Sequence, residues 1–323
     1  MSILDKLLNI RQALKNFYKK SDIYFLPALK FLLAFALFYF INANTGYMEM
    51  LDSMFIVIIL ALVCAIIPLN GTVVLGMALI ILHSFGISVE IGLLALCLYV
   101  VLLILFLRFV PEDNIALLLT PVAFSLNIPS AIPITLGMTG RASSALTSVC
   151  SIISYYYIHM MPIAAQLKAD GEISGFELLK EVLDRMINNS EMLLYIIVFA
   201  AVTLVAYLIR KMLTTYGWLT SALAGTGLYI FFMVLGSIFL SLDIDFISLI
   251  IGAVISAGIV LVIAFFIISV NYKGSRYIQF EDDDYYYYVK AIPKNKPVNY
   301  EEEPDDAEFY FDTEDSGDII RKD

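Results

Sequence analysis

PEDNIALLLTPVAFSLNIPSAIPITLGMTGRASSA, residues 111–145, is an apolar stretch that is interrupted repeatedly by residues unsuited to a continuous helix. Its first helical run, residues 115–126, extends for about 18 Å, whereas the hydrocarbon core of a bilayer is roughly 30 Å thick. Four helix-breaking residues interrupt or follow this run: Pro121, Asn127, Pro129 and Pro133. Each proline removes a backbone donor and disfavours helix in the residue before it. The stretch therefore predicts broken helices instead of one straight span.

Two arrangements of this stretch fit its sequence. In the first, residues 115–140 form a re-entrant pair, with a half-helix to Leu126, an unwound tip at 127–133 and a return to Gly140. In the second, one proline-kinked helix crosses the membrane over residues 117–138. Backbone freed by proline at membrane depth is tolerated only where protein buries it or water reaches it. Broken elements of this kind mark binding sites in many transporters.

The composition defines the class of protein. Of its 323 residues 60% are hydrophobic and 15% are charged, with a mean hydropathy of +0.85, whereas soluble domains carry about 25% charged residues. The net charge of −10 is concentrated in residues 271–323, which contain 7 basic and 15 acidic side chains. We expect an all-α, polytopic membrane protein whose membrane domain, residues 23–270, is nearly neutral.

The distribution of basic residues predicts the topology. Eight apolar runs are long enough to be crossings: 23–41, 54–69, 72–85, 91–110, 146–164, 193–209, 218–240 and 247–270. The pair Asn70-Gly71 predicts the turn between the second and third of these runs. If residues 115–140 return to the side on which they start, then Arg108, Arg141, Arg210 and Lys273 all lie with the basic N-terminus, as the positive-inside rule requires. The kinked-span alternative inverts the C-terminal half. The charge rule therefore favours the re-entrant pair, with both termini cytoplasmic in a bacterial cell membrane.

Three segments differ from the apolar runs because they are amphipathic or strongly charged. Residues 1–22 predict a basic amphipathic helix on the cytoplasmic leaflet, and residues 171–190 an acidic amphipathic helix on the outer surface. The tail, 271–323, contains a predicted β-hairpin at 277–292, and a cytoplasmic protein partner is expected to bind residues 277–323. The other expected partners are the lipid bilayer and a second copy of the chain. Nucleic acid is not expected.

Small residues on the last predicted span form a ridge of the small-xxx-small type. It pairs Gly252 with Ser256 and Ala253 with Ala257. Such ridges allow helices to approach closely. Two uses are open: packing inside the protein, or self-association with a second copy.

Hydroxyl and amide groups are concentrated around the broken helices. The candidate substrate pathway consists of Thr120, Pro121, Asn127, Pro129, Ser130, Pro133, Thr135, Thr139 and Arg141. Half-helix N-termini and hydroxyls favour a neutral or anionic solute. The alternative is that these hydroxyls only satisfy backbone groups freed by proline. Arg141 is either a positive-inside anchor or an anion-binding residue.

Four ionisable side chains lie in or near predicted spans: Lys30, His83, Glu90 and His159. Lys30 either reaches the cytoplasmic interface or holds a partner charge, and Glu90 either lies in an outer turn or has a cation or proton role. The two histidines have no clear partner in the sequence. No zinc-spaced set, nucleophile elbow or phosphate loop occurs, so we expect neither an enzyme nor a metal or other cofactor.

Two runs carry a resemblance to a known group of proteins. LTPVAFSLNIP at 119–129 and FEDDDYYYYVKAIP at 280–293 resemble an uncharacterised family of bacterial polytopic membrane proteins, which are sometimes loosely labelled transporter permeases. The resemblance implies a permease-like membrane protein and assigns no activity or site residues. We therefore expect a transporter or permease-like subunit with its solute pathway at the broken helices. The alternative is a non-catalytic membrane scaffold of an envelope or secretion assembly, which recruits partners through its tail and outer helix.

Overall fold

The computed structural model describes residues 25–110, 113–169, 174–212, 217–267, 276–281 and 286–291. The chain divides into two compact units, residues 1–269 and 270–323. The predicted amphipathic helix at 1–22 and the tail beyond residue 291 lie outside the described residues.

The first unit is helical throughout its described part. Its helices are α1 (Phe25–Thr45), α2 (Met54–Ile66), α3 (Leu69–Ile87), α4 (Val89–Phe109), α5 (Ala116–Ser125), α6 (Ala131–Thr139), α7 (Ser144–Ala169), α8 (Gly175–Ile187), α9 (Ser190–Lys211), α10 (Gly217–Leu240) and α11 (Phe246–Ile267). The second unit contains two strands, β1 (Arg276–Glu281) and β2 (Tyr286–Ala291), which pair antiparallel with Phe280 opposite Tyr287.

Five of these helices are long and apolar enough to cross a bilayer: α1, α3, α9, α10 and α11. They establish a multi-pass helical membrane protein. The other three predicted crossings correspond to α2, α4 and α7. Helix α2 has only 13 residues, or about 20 Å of helix, while α7 has 26 residues but carries many hydroxyl groups and Pro162.

The buried apolar side chains form two clusters that share α7. One cluster joins α1–α5 with α7 and α8, and includes Phe38, Tyr99 and Tyr157. The other joins α6, α7 and α9–α11, and includes Phe199 and Tyr229. Helices α5 and α6 pack against α7 and α9, so the broken stretch lies inside the bundle.

The boundaries of α3 differ from those expected. A turn was predicted at Asn70-Gly71, but the chain breaks at Ile67-Pro68, and both predicted turn residues lie in the first turn of α3. The first N–H groups of any helix lack partners within it, so an Asn-Gly pair is tolerated there. Pro68, with φ −65°, ends α2 and precedes α3 directly.

A single residue, Ser88, separates α3 from α4. Its N–H donates to the Ser84 carbonyl at 3.3 Å, and its hydroxyl accepts from the Ile91 N–H at 3.2 Å. One residue thus closes one helix and caps the next. Glu90, which was expected in a longer outer turn, lies instead in the first turn of α4.

Helix α8 occupies the central part of the predicted amphipathic segment 171–190. A capping box fixes its start, because the Ser174 hydroxyl accepts from the Glu177 N–H while the Glu177 carboxylate accepts from the Ser174 N–H. Three side chains spaced four residues apart, Leu178, Val182 and Met186, are buried in the α1–α5 cluster. The apolar face of α8 therefore docks on the protein itself.

The helix ends form two groups with opposite charge. The Lys168 ammonium donates to the Ile87 carbonyl, so α7 ends where α3 ends. The opposite group, termed the basic end, carries Lys30, Arg108, Arg141, Arg210 and Lys211 against one described acid, Asp113. The other group, termed the acidic end, carries nine described acids against three described bases. This separation of charge follows the helix axes.

Candidate functional site: a helical hairpin inside the bundle

Helices α5 and α6 form a hairpin whose two ends meet at the basic end. A Cβ built on Gly140 would lie 2.8 Å from the Asp113 carboxylate, although 27 positions separate them in sequence. The Ser144 hydroxyl donates to that carboxylate and accepts the Arg141 N–H at 2.9 Å. A single kinked helix of this length would hold its ends roughly 40 Å apart. The stretch therefore turns back on itself.

The tip of the hairpin is a regular helix cap. Asn127 has φ 59°, in the left-handed region that asparagine tolerates better than most residues. Its N–H donates to the Phe124 carbonyl at 3.0 Å, and the Ile128 N–H donates to the Ala123 carbonyl at 2.8 Å. This pair of bonds is the Schellman motif, which satisfies the last carbonyls of a helix. The tip that was predicted to be unwound thus has an ordered backbone.

The tip docks on α11 through a glycine. A Cβ on Gly252 would overlap the Asn127 carbonyl oxygen, and the Asn127 side-chain amide donates to the Ser248 hydroxyl. Gly252, Ala253 and Ser256 are all buried, so the described part of the small-residue ridge packs within the protein. Of its two predicted uses, the structure shows internal packing.

The return helix α6 packs equally closely on α9. A Cβ on Gly137 would lie 2.5 Å from the Thr203 carbonyl oxygen and 2.7 Å from the Ala206 side chain. At the base, the Arg210 guanidinium donates to the Gly140 carbonyl at 2.8 Å. The hairpin is thus held at the tip, along its length and at its base.

The start of α6 does not present free donors to an anion. The Ala131 N–H donates to the Ile128 carbonyl at 3.1 Å, and the Ile132 N–H donates to the Pro129 carbonyl at 3.2 Å. Pro133 has no N–H, and the Ile134 N–H donates to the Ser130 carbonyl at 3.4 Å. The expectation that this N-terminus favours anions therefore has no support in the hydrogen bonds.

Two hydroxyls beside the hairpin are buried without a partner. The side-chain oxygens of Ser130, at the start of α6, and Thr147, in the first turn of α7, form no hydrogen bond with any residue that the structure describes, and both residues are 0% exposed. Thr147 belongs to a buried hydroxyl face on α7: Ser144, Thr147, Ser148, Ser151 and Ser154. This face extends for about 15 Å along α7. Thr203 of α9 joins it, donating to the Ser148 hydroxyl at 3.1 Å.

The remaining predicted pathway residues fall into two groups. Pro121, Pro129 and Pro133 are buried, Thr135 is partly buried, and Arg141 is exposed at the basic end. The Thr120 hydroxyl donates to the Ala116 carbonyl at 2.7 Å, and the exposed Thr139 hydroxyl donates to the Thr135 carbonyl at 2.8 Å. Each of these two hydroxyls thus bonds the carbonyl one turn earlier in its own helix.

The four predicted ionisable residues lie apart from the hairpin's core. The Lys30 ammonium donates to the Ile67 carbonyl at 3.2 Å, where it satisfies the end of α2. The Glu90 carboxylate lies against Gly175 at the start of α8. His159 is exposed and its ring stacks on Tyr155, with centroids 6.0 Å apart.

His83 has the partners that the sequence did not reveal. Its Nδ1 accepts the Met48 N–H at 3.2 Å, and its Nε2 lies 2.9 Å from the Asn42 side-chain oxygen. These bonds define the neutral ring with its proton on Nε2. The Asn42 amide in turn donates to the Leu51 carbonyl at 2.8 Å, so His83 fastens the α1–α2 loop.

Sequence reasoning missed the groups that close the hairpin's base and flank its tip. Asp113 and Arg210 act at the base, and Phe124 stacks on Tyr155 near the tip, with ring centroids 3.9 Å apart. A carboxylate placed just before the broken stretch was the available signal for Asp113. The other two contacts join distant parts of the chain and leave no local pattern.

Comparison with known proteins adds no assignment. No family model, curated sequence or solved structure matches the chain. Within the described residues, no three His, Cys, Asp or Glu side chains are grouped so as to hold a metal ion. The assignment of the candidate site therefore depends on the geometry of the hairpin alone.

Proposed function

We propose that this protein is a membrane transporter or permease-like subunit, in which a small polar solute passes between the α5–α6 hairpin and the hydroxyl face of α7. The observation that supports this proposal is the pair of buried, unpartnered hydroxyls on Ser130 and Thr147. Ser130 precedes α6 directly, and Thr147 lies in the first turn of α7, the helix that follows α6. A solute or water that follows the hairpin meets both of them.

A buried hydroxyl that forms no hydrogen bond destabilises the folded protein. A buried hydroxyl without a partner costs about 1–3 kcal/mol, and the large majority of buried polar side-chain atoms avoid this cost. The neighbouring hydroxyls of Ser148, Ser151 and Thr203 are all bonded. Intermittent contact with water or a polar solute provides the missing partners for Ser130 and Thr147.

Orientation follows from the charges at the two ends of the bundle. Five described bases against one acid mark the basic end as cytoplasmic under the positive-inside rule. On this assignment the hairpin is re-entrant from the cytoplasm, and its tip lies near the outer end of α11. Both termini are cytoplasmic, and the membrane is the cell membrane.

Hydrogen exchange in lipid nanodiscs tests this function on the unmodified chain. A pathway wets the hairpin, so we expect amides of residues 134–138 of α6 to exchange faster than those of residues 198–203 of α9, since both segments are helical and largely buried. A sealed bundle gives equal protection in both segments. Equal protection would remove the support for transport.

A scaffold function is the second candidate, and α8 is the observation that favours it. Phe176 is 74% exposed and Ile187 is 64% exposed, on a helix that is already docked through its other face. In a scaffold, these two side chains would contact the partner protein. In a scaffold, Phe176→Ser with Ile187→Ser prevents co-purification of the assembly, whereas Ser130→Ala has no effect. In a transporter, Ser130→Ala changes solute flux, whereas Phe176→Ser with Ile187→Ser leaves it unchanged.

A further inference from the structure

The α1–α2 loop lies against the end of α3 through a single peptide unit. An added Cβ on Gly86 of α3 would lie 2.7 Å from the Tyr47 carbonyl oxygen and 3.0 Å from the Met48 nitrogen. The Met48 N–H donates to Nδ1 of His83 at 3.2 Å, and the Met48 carbonyl accepts the Asp52 N–H at 3.0 Å. The turn of the loop is therefore centred on Met48, whose own N–H is held by His83.

The imidazole of His83 is suited to this contact only while it is neutral. Its Nδ1 is an acceptor, while its Nε2–H donates to the Asn42 side-chain oxygen, and His83 is 0% exposed. A protonated ring carries a hydrogen on both nitrogens. Protonation would therefore set the Nδ1–H against the Met48 N–H, so that two donors face each other inside the protein. It would also leave a positive charge in a buried position, which is costly.

The charged groups around His83 do not hold its ring in the charged form. Titratable side chains on the elements around it, within the described residues, are Tyr39 of α1, Tyr47, Glu49 and Asp52 of the loop, Glu90 of α4, and Tyr157 and Lys168 of α7. Both ring nitrogens are occupied by uncharged groups, the Met48 N–H and the Asn42 amide. Glu49 and Asp52 are exposed on the loop. The ring is therefore free to change its protonation state when the loop opens.

The effect of acid follows from the two forms of the loop. A brief opening exposes the ring to water, where histidine titrates near pH 6.5. The closed form accepts no proton at Nδ1, so protonation favours the open form alone. Between about pH 7.5 and about pH 5 the open fraction then rises roughly thirtyfold. We propose that His83 is an acid-sensitive latch, which keeps the α1–α2 loop closed while its ring is neutral and releases the loop when the ring is protonated.

The latch is independent of the proposed transport function. It lies at the acidic end of the bundle, in the part built from α1 to α4, and uses no residue of the α5–α6 hairpin. Ser84, the next residue of α3, accepts a hydrogen bond from the Tyr157 hydroxyl of α7 at 2.8 Å. Adjacent residues of α3 thus hold the loop on one side and α7 on the other.

Amide-resolved hydrogen exchange of the full chain in lipid nanodiscs tests the latch, at about pH 7.5 and about pH 5 and corrected for the intrinsic pH dependence of exchange. The Met48 amide reports the bond itself, and we expect it to exchange roughly thirtyfold faster at the lower pH. The Ile91 amide is the internal control, because it donates to the Ser88 hydroxyl, which does not titrate, and should not change. His83→Gln should lose the pH dependence at Met48. The matched control is His159→Gln, which removes the other of the two histidines in the chain and should retain it.

Three results would contradict the latch. The first is an unchanged Met48 amide in the native chain, and the second is equal acceleration at Met48 and Ile91, which reports a general loosening by acid. The third is the native pH dependence in a folded His83→Gln protein, with thermal melting as the check on folding. If His83→Gln does not fold, the comparison of the two amides in the native chain still decides, because it needs no substitution.

Discussion

Gly252 offers the sharpest test of how the hairpin tip is docked. A Cβ at this position overlaps the Asn127 carbonyl oxygen, and that oxygen must retreat by about 1 Å to reach 3.0 Å, the shortest separation that real Cβ atoms show. The obstacle is backbone in a capped turn, so a side-chain rotation cannot relieve it. Overpacking of this kind costs about 1–3 kcal/mol. Gly252→Ala should lower the free energy of unfolding by that amount.

The same helix provides the control. A Cβ on Gly258 has nothing within 4 Å, so Gly258→Ala creates no overlap. Alanine is favoured over glycine within a helix by up to about 1 kcal/mol, and this variant should be as stable as the native chain or slightly more stable. Thermal unfolding in one detergent compares the two variants directly. If Gly252→Ala melts at the same temperature as Gly258→Ala, then the tip does not dock on α11 as described.

Three further predictions concern other parts of the bundle. The hydroxyls of Tyr99 and Ser154 lie 2.9 Å apart and are buried, so Tyr99→Phe or Ser154→Ala alone should cost about 1–3 kcal/mol and the double variant much less than the sum, as a double-mutant cycle of unfolding will show. Asn127→Ile should lower stability by about 1–2 kcal/mol because its φ of 59° suits asparagine or glycine, and Asn127→Gly should melt well above Asn127→Ile. Two hydrogen bonds from Ser174 hold the pKa of the Glu177 carboxyl below its usual range, so this contribution is present above the ordinary glutamate pKa and is lost as pH falls through the lower folded pKa. Amide exchange in α8 should therefore rise on acidification in the native chain, and Ser174→Ala should weaken that dependence without abolishing it, because the backbone N–H of residue 174 is retained.

The broken stretch was predictable because its signals are local. Prolines at 121, 129 and 133 exclude a straight helix from sequence alone, and Asn127 is a residue type that accepts a positive φ. The ordered state of the tip was not predicted. A Schellman motif satisfies the backbone with bonds between residues three and five positions apart, so these groups need no water there.

Contacts between helices that are distant in sequence could not be predicted from local sequence patterns. His83 lies 41 positions from Asn42, and Phe124 lies 31 positions from Tyr155, so only the packing of α1 on α3 and of α5 on α7 creates these pairs. The turn predicted at Asn70-Gly71 was wrong for a related reason. Turn propensity is an average over many proteins and takes no account of the neighbouring residues. In this chain Pro68 ends the preceding helix, so Asn70 and Gly71 are not needed for the turn.

In the proposed function, the hairpin lines a pathway that opens to both sides of the membrane. Thiol labelling with a membrane-impermeant reagent tests it on a chain in which Cys64, Cys97 and Cys150 are replaced. Ser130→Cys should react from the outside in right-side-out vesicles and from the inside in inverted vesicles. Ser256→Cys is the control, because its native hydroxyl is buried and bonded to the Gly252 carbonyl at 2.8 Å, and it should react from neither side. A folded Ser130→Cys protein that resists the reagent from both sides would contradict the pathway.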